Sequence, residues 1–138
     1  MLQTVAGHLG RRIVRKTPVR TGLARGNMRL GIGKRVAGRT TNRRDPSGER
    51  AIADILSAAS RLAAYSAFTI YNNLPYIRRL ENGWSRQAPL GMFRLSYKEL
   101  RADMPNIVRE VIIEKVRDKA RSWLTEKAVT DAVKSGWD

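Results

Sequence analysis

The sequence predicts an α+β domain: a small antiparallel sheet packed with helices, closed by a long C-terminal helix. Three observations carry that reading. Apolar residues recur at helical spacing in three stretches, they alternate at period two in only two short ones, and the order is helix, strand, helix, strand, helix. With so few strands, helices laid against one small sheet are the natural way to bury both. A length of 138 residues gives a single domain over 1–138.

Taken in order, Leu2 to Lys16 places Leu2, Val5, Leu9 and Ile13 near helical spacing, with Arg11, Arg12, Arg15 and Lys16 toward the last turns. This first helix stops near Thr17, because Pro18 disfavours helical geometry in the residue before it, and Thr21-Gly22 supplies a turn. From Asn27 to Lys34 the period changes. Met28, Leu30 and Ile32 alternate with Arg29, Gly31 and Gly33, as in a strand with one buried face. Lys34 to Arg50 holds six basic and two acidic residues and little that is apolar, which reads as a long basic loop over 34–50, mobile on its own. Turn chemistry at Asp45-Pro46-Ser47-Gly48 leads to a second helix over 48–64, on which Ile52, Ile55, Leu56, Ala59 and either Leu62 or Ala63 return at helical spacing.

The second strand, Ser66 to Asn72, carries Phe68 and Ile70 on one face and Thr69 and Tyr71 on the other. Asn72 and Asn73 form a turn, Pro75 opens a short helical turn in which Tyr76 and Leu80 share a face, and Gly83 closes it. A loop over 84–91 follows. Leu95, Leu100, Met104, Ile107, Val108, Val111, Ile112 and Val116 then keep an apolar stripe through a long helix over 98–119. Pro105 removes the bond to the carbonyl of Arg101, so two outcomes are expected: a kink at Pro105, or two helices meeting at Asp103. Residues 120–138 keep Trp123, Leu124, Ala128, Val129 and Val133 in loose helical register, as a C-terminal arm that packs on a neighbour would.

Composition narrows function. There is no cysteine and a single histidine, His8, which leaves no thiolate or imidazole cluster for a metal, and no cofactor is expected. His8 reads as a surface or packing residue. No serine has a histidine partner at a recognisable motif spacing, and Gly31-Ile32-Gly33-Lys34 lacks the spacing and the following hydroxyl residue of a phosphate loop. No apolar run has the length of a signal peptide or membrane span, so the expectation is a soluble chain used without secretion or membrane contact. The net charge of +15 points to polyanions or acidic partner surfaces. Its excess sits early: residues 1–50 are net +11 and residues 51–138 net +4.

Two segments carry a resemblance. Thr17-Pro18-Val19-Arg20-Thr21-Gly22-Leu23-Ala24-Arg25-Gly26-Asn27 resembles a signature of the tail-completion or minor tail proteins of long-tailed double-stranded DNA phages. Tyr71-Asn72-Asn73-Leu74-Pro75-Tyr76, then Leu80-Glu81-Asn82-Gly83, then Ser85-Arg86-Gln87-Ala88-Pro89-Leu90-Gly91-Met92 resembles a second block of that family in order and spacing. Departures are Arg20, where the family often has an acid, Met28, where it often has Trp, and the extended C-terminal helix. The resemblance implies a non-enzymatic virion protein of the neck or proximal tail, assembled in the host cytoplasm, which joins the tail tube to the capsid portal complex. It implies a ring, with six copies expected, whose other partners are neck and tail proteins such as a stopper, tail terminator or tail tube. DNA in the lumen would make non-specific contacts. A ring of like subunits needs two different complementary faces on each copy.

The motif residues Thr21, Gly22, Asn73, Pro75, Tyr76, Glu81, Gly83, Trp84, Gln87 and Pro89 are the subunit-interface candidates. For each a structural role stands beside the functional one. The glycines suit turns, the prolines fix loop directions, and Tyr76 and Trp84 serve either as interface anchors or as core. Glu81 lies near Arg78, Arg79 and Arg86 and reads as one half of an internal ion pair or of a contact across subunits. A lone carboxylate makes no acid-base pair. In the basic loop, Arg35, Arg39, Arg43 and Arg44 are candidates for DNA phosphates or an acidic protein neighbour, against a merely solvated charge run. A free-standing nucleic-acid-binding protein is the alternative function. The absence of Phe, Tyr and Trp from residues 34–50 favours assembly over it.

Overall fold

A computed structural model describes residues 1–64 and 66–134. The elements are α1 (Leu2–Lys16), α2 (Leu23–Gly26), β1 (Met28–Ile32), α3 (Glu49–Ala59), β2 (Phe68–Asn72), α4 (Ile77–Glu81) and α5 (Phe93–Lys134). The α+β class is as expected: β1 and β2 pair antiparallel, with Met28 opposite Asn72 and Ile32 opposite Phe68, and α3 packs against β1. The chain divides into two compact units, a body over 1–104 and a second unit that begins at Pro105 and is helical through Lys134.

The body is built on a close pairing of α1 with α3. Ala6, Gly7 and Gly10 give α1 a small-residue face, and a Cβ added at Gly10 would lie 2.5 Å from Cγ2 of Ile55. A larger residue there would have to push the helices apart. Ile13, Val14, Met28, Ala51, Ile55, Ala88 and Met92 form the main core. Ala6, Ala59 and Leu62 form a smaller one, and Leu30 packs against both. Arg12 and Lys16 reach the acids of α5, with Arg12 Nη2 2.6 Å from Asp103 and Lys16 Nζ 2.5 Å from Glu99.

Several boundaries differ from the expectation, each for a visible reason. The second helix ends at Ala59 rather than near Ala64: Ser60 bonds back to the carbonyl of Ser57, and Arg61 and Leu62 close tight turns on Ala58 and Ala59. Leu62 is nevertheless buried. Ile32, expected on the buried face of β1, is 52 % exposed: it is the last residue of the strand, and in that last pair it is Phe68 that packs against the smaller core. The short α2 was not expected. The long helix begins earlier, at Phe93, and runs through Pro105 as one element rather than breaking into two at Asp103. It continues into the expected arm as far as Lys134, and residues 135–138 lie outside the described residues.

Candidate functional site

The two motif segments, far apart in sequence, close on one another. Gln87 uses both ends of its amide on Val19: the Val19 N–H donates to Oε1 at 2.8 Å, and Nε2 donates to the Val19 carbonyl at 3.0 Å. A second tie joins the sheet to α2, where buried Asn72 donates from Nδ2 to the carbonyl of Ala24 at 2.8 Å and accepts the N–H of Leu74. Both are satisfied side-chain-to-backbone contacts of the kind that fixes loops against one another.

Between the closed segments lies a groove of about 690 Å³, bordered by Val19, Leu23, Tyr76, Leu80, Trp84 and Gln87. Tyr76 is the N-cap residue of α4 and is 39 % exposed; Trp84, just past that helix, is 73 % exposed, with the Arg79 guanidinium 5.0 Å from its ring centre. Neither aromatic is core. Thr21 and Gly22 form the other wall of the groove, Thr21 Oγ1 accepting the N–H of Leu23.

Other motif residues hold the framework. Gly22 takes φ +83°, its carbonyl accepts the N–H of Asp45, and a Cβ there would meet the backbone nitrogen of Pro46 at 2.5 Å, so the end of the basic loop docks on a position only glycine suits. A Cβ added at Gly83 (φ +86°) would lie 2.4 Å from the carbonyl oxygen of Pro89, which places Pro89 as a packing partner of the α4 turn. Asn73 reaches the loop, donating from Nδ2 to the carbonyls of Val36 (2.6 Å) and Arg39 (3.2 Å). Pro75 precedes α4 and stays exposed.

Glu81 does not pair with Arg78, Arg79 or Arg86. Its carboxylate accepts the backbone N–H groups of Met92 (2.8 Å), Phe93 (2.8 Å) and Arg94 (3.0 Å), and the Arg94 side chain lies 3.2 Å away. It thus caps the start of α5, where free N–H groups and the helix dipole favour an anion. Burial acts against the charged form, but the hydrogen bonds from Arg94, Met92 and Phe93 outweigh it and hold the carboxyl below its ordinary value.

The basic loop is tied at several points by groups that composition does not reveal. Asn27 donates to the carbonyl of Thr41 and accepts its N–H, while Asp45, buried, accepts the N–H of Ala51 in the first turn of α3. Arg25 donates to the carbonyls of Arg15, Thr17 and Pro46; burial lowers its ordinary value and nearby Asp45 opposes that. The four loop arginines separate into two kinds. Arg43 is a brace, 2.5 Å from Asp54 and bonded to the carbonyl of Gly26. Arg35, Arg39 and Arg44 are exposed, and their side chains have no partner among the described residues.

Among the described residues no group of His, Cys, Asp and Glu could hold a metal ion, and no helix is long and apolar enough to cross a membrane. Comparison with protein-family models, curated proteins and solved structures found no match.

Proposed function

We propose that this chain is a structural, non-enzymatic virion subunit of a phage head-to-tail connector or proximal tail. It joins the tail tube to the portal complex as a member of a ring of like subunits, with other neck and tail proteins as neighbours. The observation that carries the reading is the clasp of Gln87 on Val19, which closes the two resembling segments around a groove walled by exposed Tyr76 and Trp84. Exposed aromatic residues on a fixed framework are what protein interfaces use as anchors. A ring face built this way needs no reacting group.

The alternative, a free-standing nucleic-acid-binding protein, draws on one observation of its own: the side chains of Arg35, Arg39 and Arg44 are exposed on an anchored loop with no partner among the described residues. Sedimentation of the purified chain at low and high salt, with and without duplex DNA, separates the two. The subunit reading expects a discrete closed oligomer at physiological salt whose mass ignores DNA. A monomer that binds DNA steeply with salt would replace it with the alternative. Alanine at Arg35, Arg39 and Arg44 would then flatten the salt slope by about 0.9 for each phosphate no longer neutralised.

A further inference from the structure

A second cleft, between the sheet and the anchored basic loop, plays no part in the subunit reading. It holds about 400 Å³ and is bordered by Arg29, Leu30, Thr41, Arg43, Asp54 and Tyr71. Arg29 and Tyr71 stand directly opposite one another across the strand pair, so their side chains leave the sheet on the same face. Tyr71 is held against the strand: a Cβ added at Gly31 would lie 3.2 Å from its ring. Thr41 is fixed through its backbone, which exchanges two hydrogen bonds with the Asn27 side chain. Walls set in advance need little ordering when something binds.

The charges of the cleft are unequally satisfied. Arg43 is 2.5 Å from Asp54 and bonded to the carbonyl of Gly26, so the one acid of the cleft is already paired. Arg29 is partly buried, and its guanidinium has no ion-pair or hydrogen-bond partner among the described residues. Arginine cannot shed its charge, and its planar fork binds an oxyanion better than water does once it is partly desolvated.

The groups around Arg29 select the anion. Thr41 Oγ1 accepts the N–H of Arg43 at 3.4 Å, which leaves its own O–H to donate, and the Tyr71 hydroxyl has no partner among the described residues. Arginine beside threonine and tyrosine hydroxyls is the donor set that holds the phosphates of a nucleic-acid backbone. An acidic protein partner would need an apolar or aromatic anchor site, and the cleft offers only Leu30, since Tyr71 is packed on Gly31. Packed in that way, Tyr71 is no platform for a stacked base either, which favours a duplex over a single strand. The segment that supplies Thr41 and Arg43 also carries exposed Arg35, Arg39 and Arg44. Of its two acids, Asp45 is buried and bonded to the N–H of Ala51, and Glu49 begins α3.

We infer that this cleft is a contact site for duplex DNA, in which Arg29, with the hydroxyls of Thr41 and Tyr71, takes one backbone phosphate and Arg35, Arg39 and Arg44 take its neighbours. The contact is blind to base sequence, because it touches only the backbone. It goes beyond the subunit reading and stands separately from it: the mass of the assembly decides that reading, and the residue that the salt dependence follows decides this one. Contacts to so few phosphates are weak at physiological salt and measurable at about 50 mM.

The test is fluorescence anisotropy of a short labelled duplex titrated with the full-length chain over a range of salt. Wild type is compared with Arg29→Gln and with Arg61→Gln, which removes the same charge from an exposed position of the body, each checked for folding by circular dichroism. Arg29→Gln is expected to bind about tenfold more weakly at about 50 mM salt, with a salt slope smaller by about 0.9, and Arg61→Gln to bind as wild type does. Arg29→Lys, which keeps the charge, is expected to restore the slope. Equal losses in the two glutamine variants would mean that net charge and not the cleft binds DNA, and a slope that lysine does not restore would mean that the strand is disturbed; either overturns the inference. So does a wild-type chain that ignores the duplex at low salt. Poly-glutamate that binds more tightly than the duplex, and is lost in Arg29→Gln, would assign the cleft to an acidic protein segment and overturn it too. None of these results alters the mass of the assembly, so the subunit reading is left to its own test.

Discussion

The body and the segment after Pro105 use similar apolar residues and finish them differently. In the body, Ile13, Val14, Met28, Ile55 and Met92 are buried to within a few per cent, and the loops over them are tied by Asn27, Asn72, Asn73, Glu81 and Gln87. In the helical segment, isoleucines and a tryptophan of the same apolar character stand in solvent. The body is complete as a folded object, and its motif residues are spent largely on completing it. The helical segment is regular in backbone but unfinished in packing. If the chain is the subunit proposed, its contact surfaces are to be sought where burial is incomplete, at the groove aromatics and along the exposed apolar residues of the helical segment, rather than at every residue of the motif.

The same substitution in both regions puts the comparison under its hardest strain. Ile55→Ala empties a site that is 1 % exposed between α1 and α3, and is expected to cost about 2–5 kcal/mol in urea denaturation. Ile113→Ala removes side-chain atoms already in water and should change the unfolding of the unassembled chain by no more than about 0.5 kcal/mol. Similar costs at the two positions would mean that Ile113 is packed within the monomer, and the contrast would fail.

The sequence carried the skeleton of the body because its signals are local. Alternation through Met28, Leu30 and Phe68, Ile70 sufficed for the strands, and helical spacing from Leu2 to Ile13 sufficed for α1 with both boundaries. The failures are long-range. The start of α5 at Phe93 depends on a carboxylate twelve residues upstream, and nothing in the local pattern points to it. The anchoring of the basic loop is polar, through Asn27, Asn73 and Asp45, and so escapes a reading based on apolar content. The pairing of Gln87 with Val19 spans 68 residues; only the resemblance hinted that the two segments belong together. The exposure of Trp84 could not be read at all, since core and interface aromatics look alike in sequence.

Glu81 sharpens the comparison at a middle scale, because it joins the groove's helix to the start of α5. Its charged form is the one held by three N–H donors, so Glu81→Gln, which keeps one acceptor, is expected to cost about 2 kcal/mol at neutral pH. The sign with pH follows from the lowered titration point. In the unfolded chain the carboxyl titrates near its ordinary value of 4.5, and in the folded chain below it. The contribution is present in full above the unfolded value and is lost as pH falls through the folded one. Denaturation of both proteins across that acidic range should show wild type losing its advantage over Glu81→Gln as pH falls. An advantage unchanged through the range would mean that the charge is not what holds the cap.

A smaller effect than that at Glu81 lies where the body falls short of its own standard. Ser96, in the first turns of α5, is fully buried, and its hydroxyl has no hydrogen-bond partner among the described residues. A buried hydroxyl left unpaired costs free energy that an alanine of nearly the same shape avoids, and alanine also favours the helix. Ser96→Ala is therefore expected to stabilise the body by about 1 kcal/mol, read as a higher urea midpoint at unchanged slope. Since Ser96 follows the cap set by Glu81, the gain should persist in Glu81→Gln if the two act independently, as a double-mutant comparison would read. A loss of stability on removing the hydroxyl would show that it is bonded in solution after all. The body would then be complete in its polar groups as well as its apolar ones, and the contrast with the unfinished helix would be sharper still.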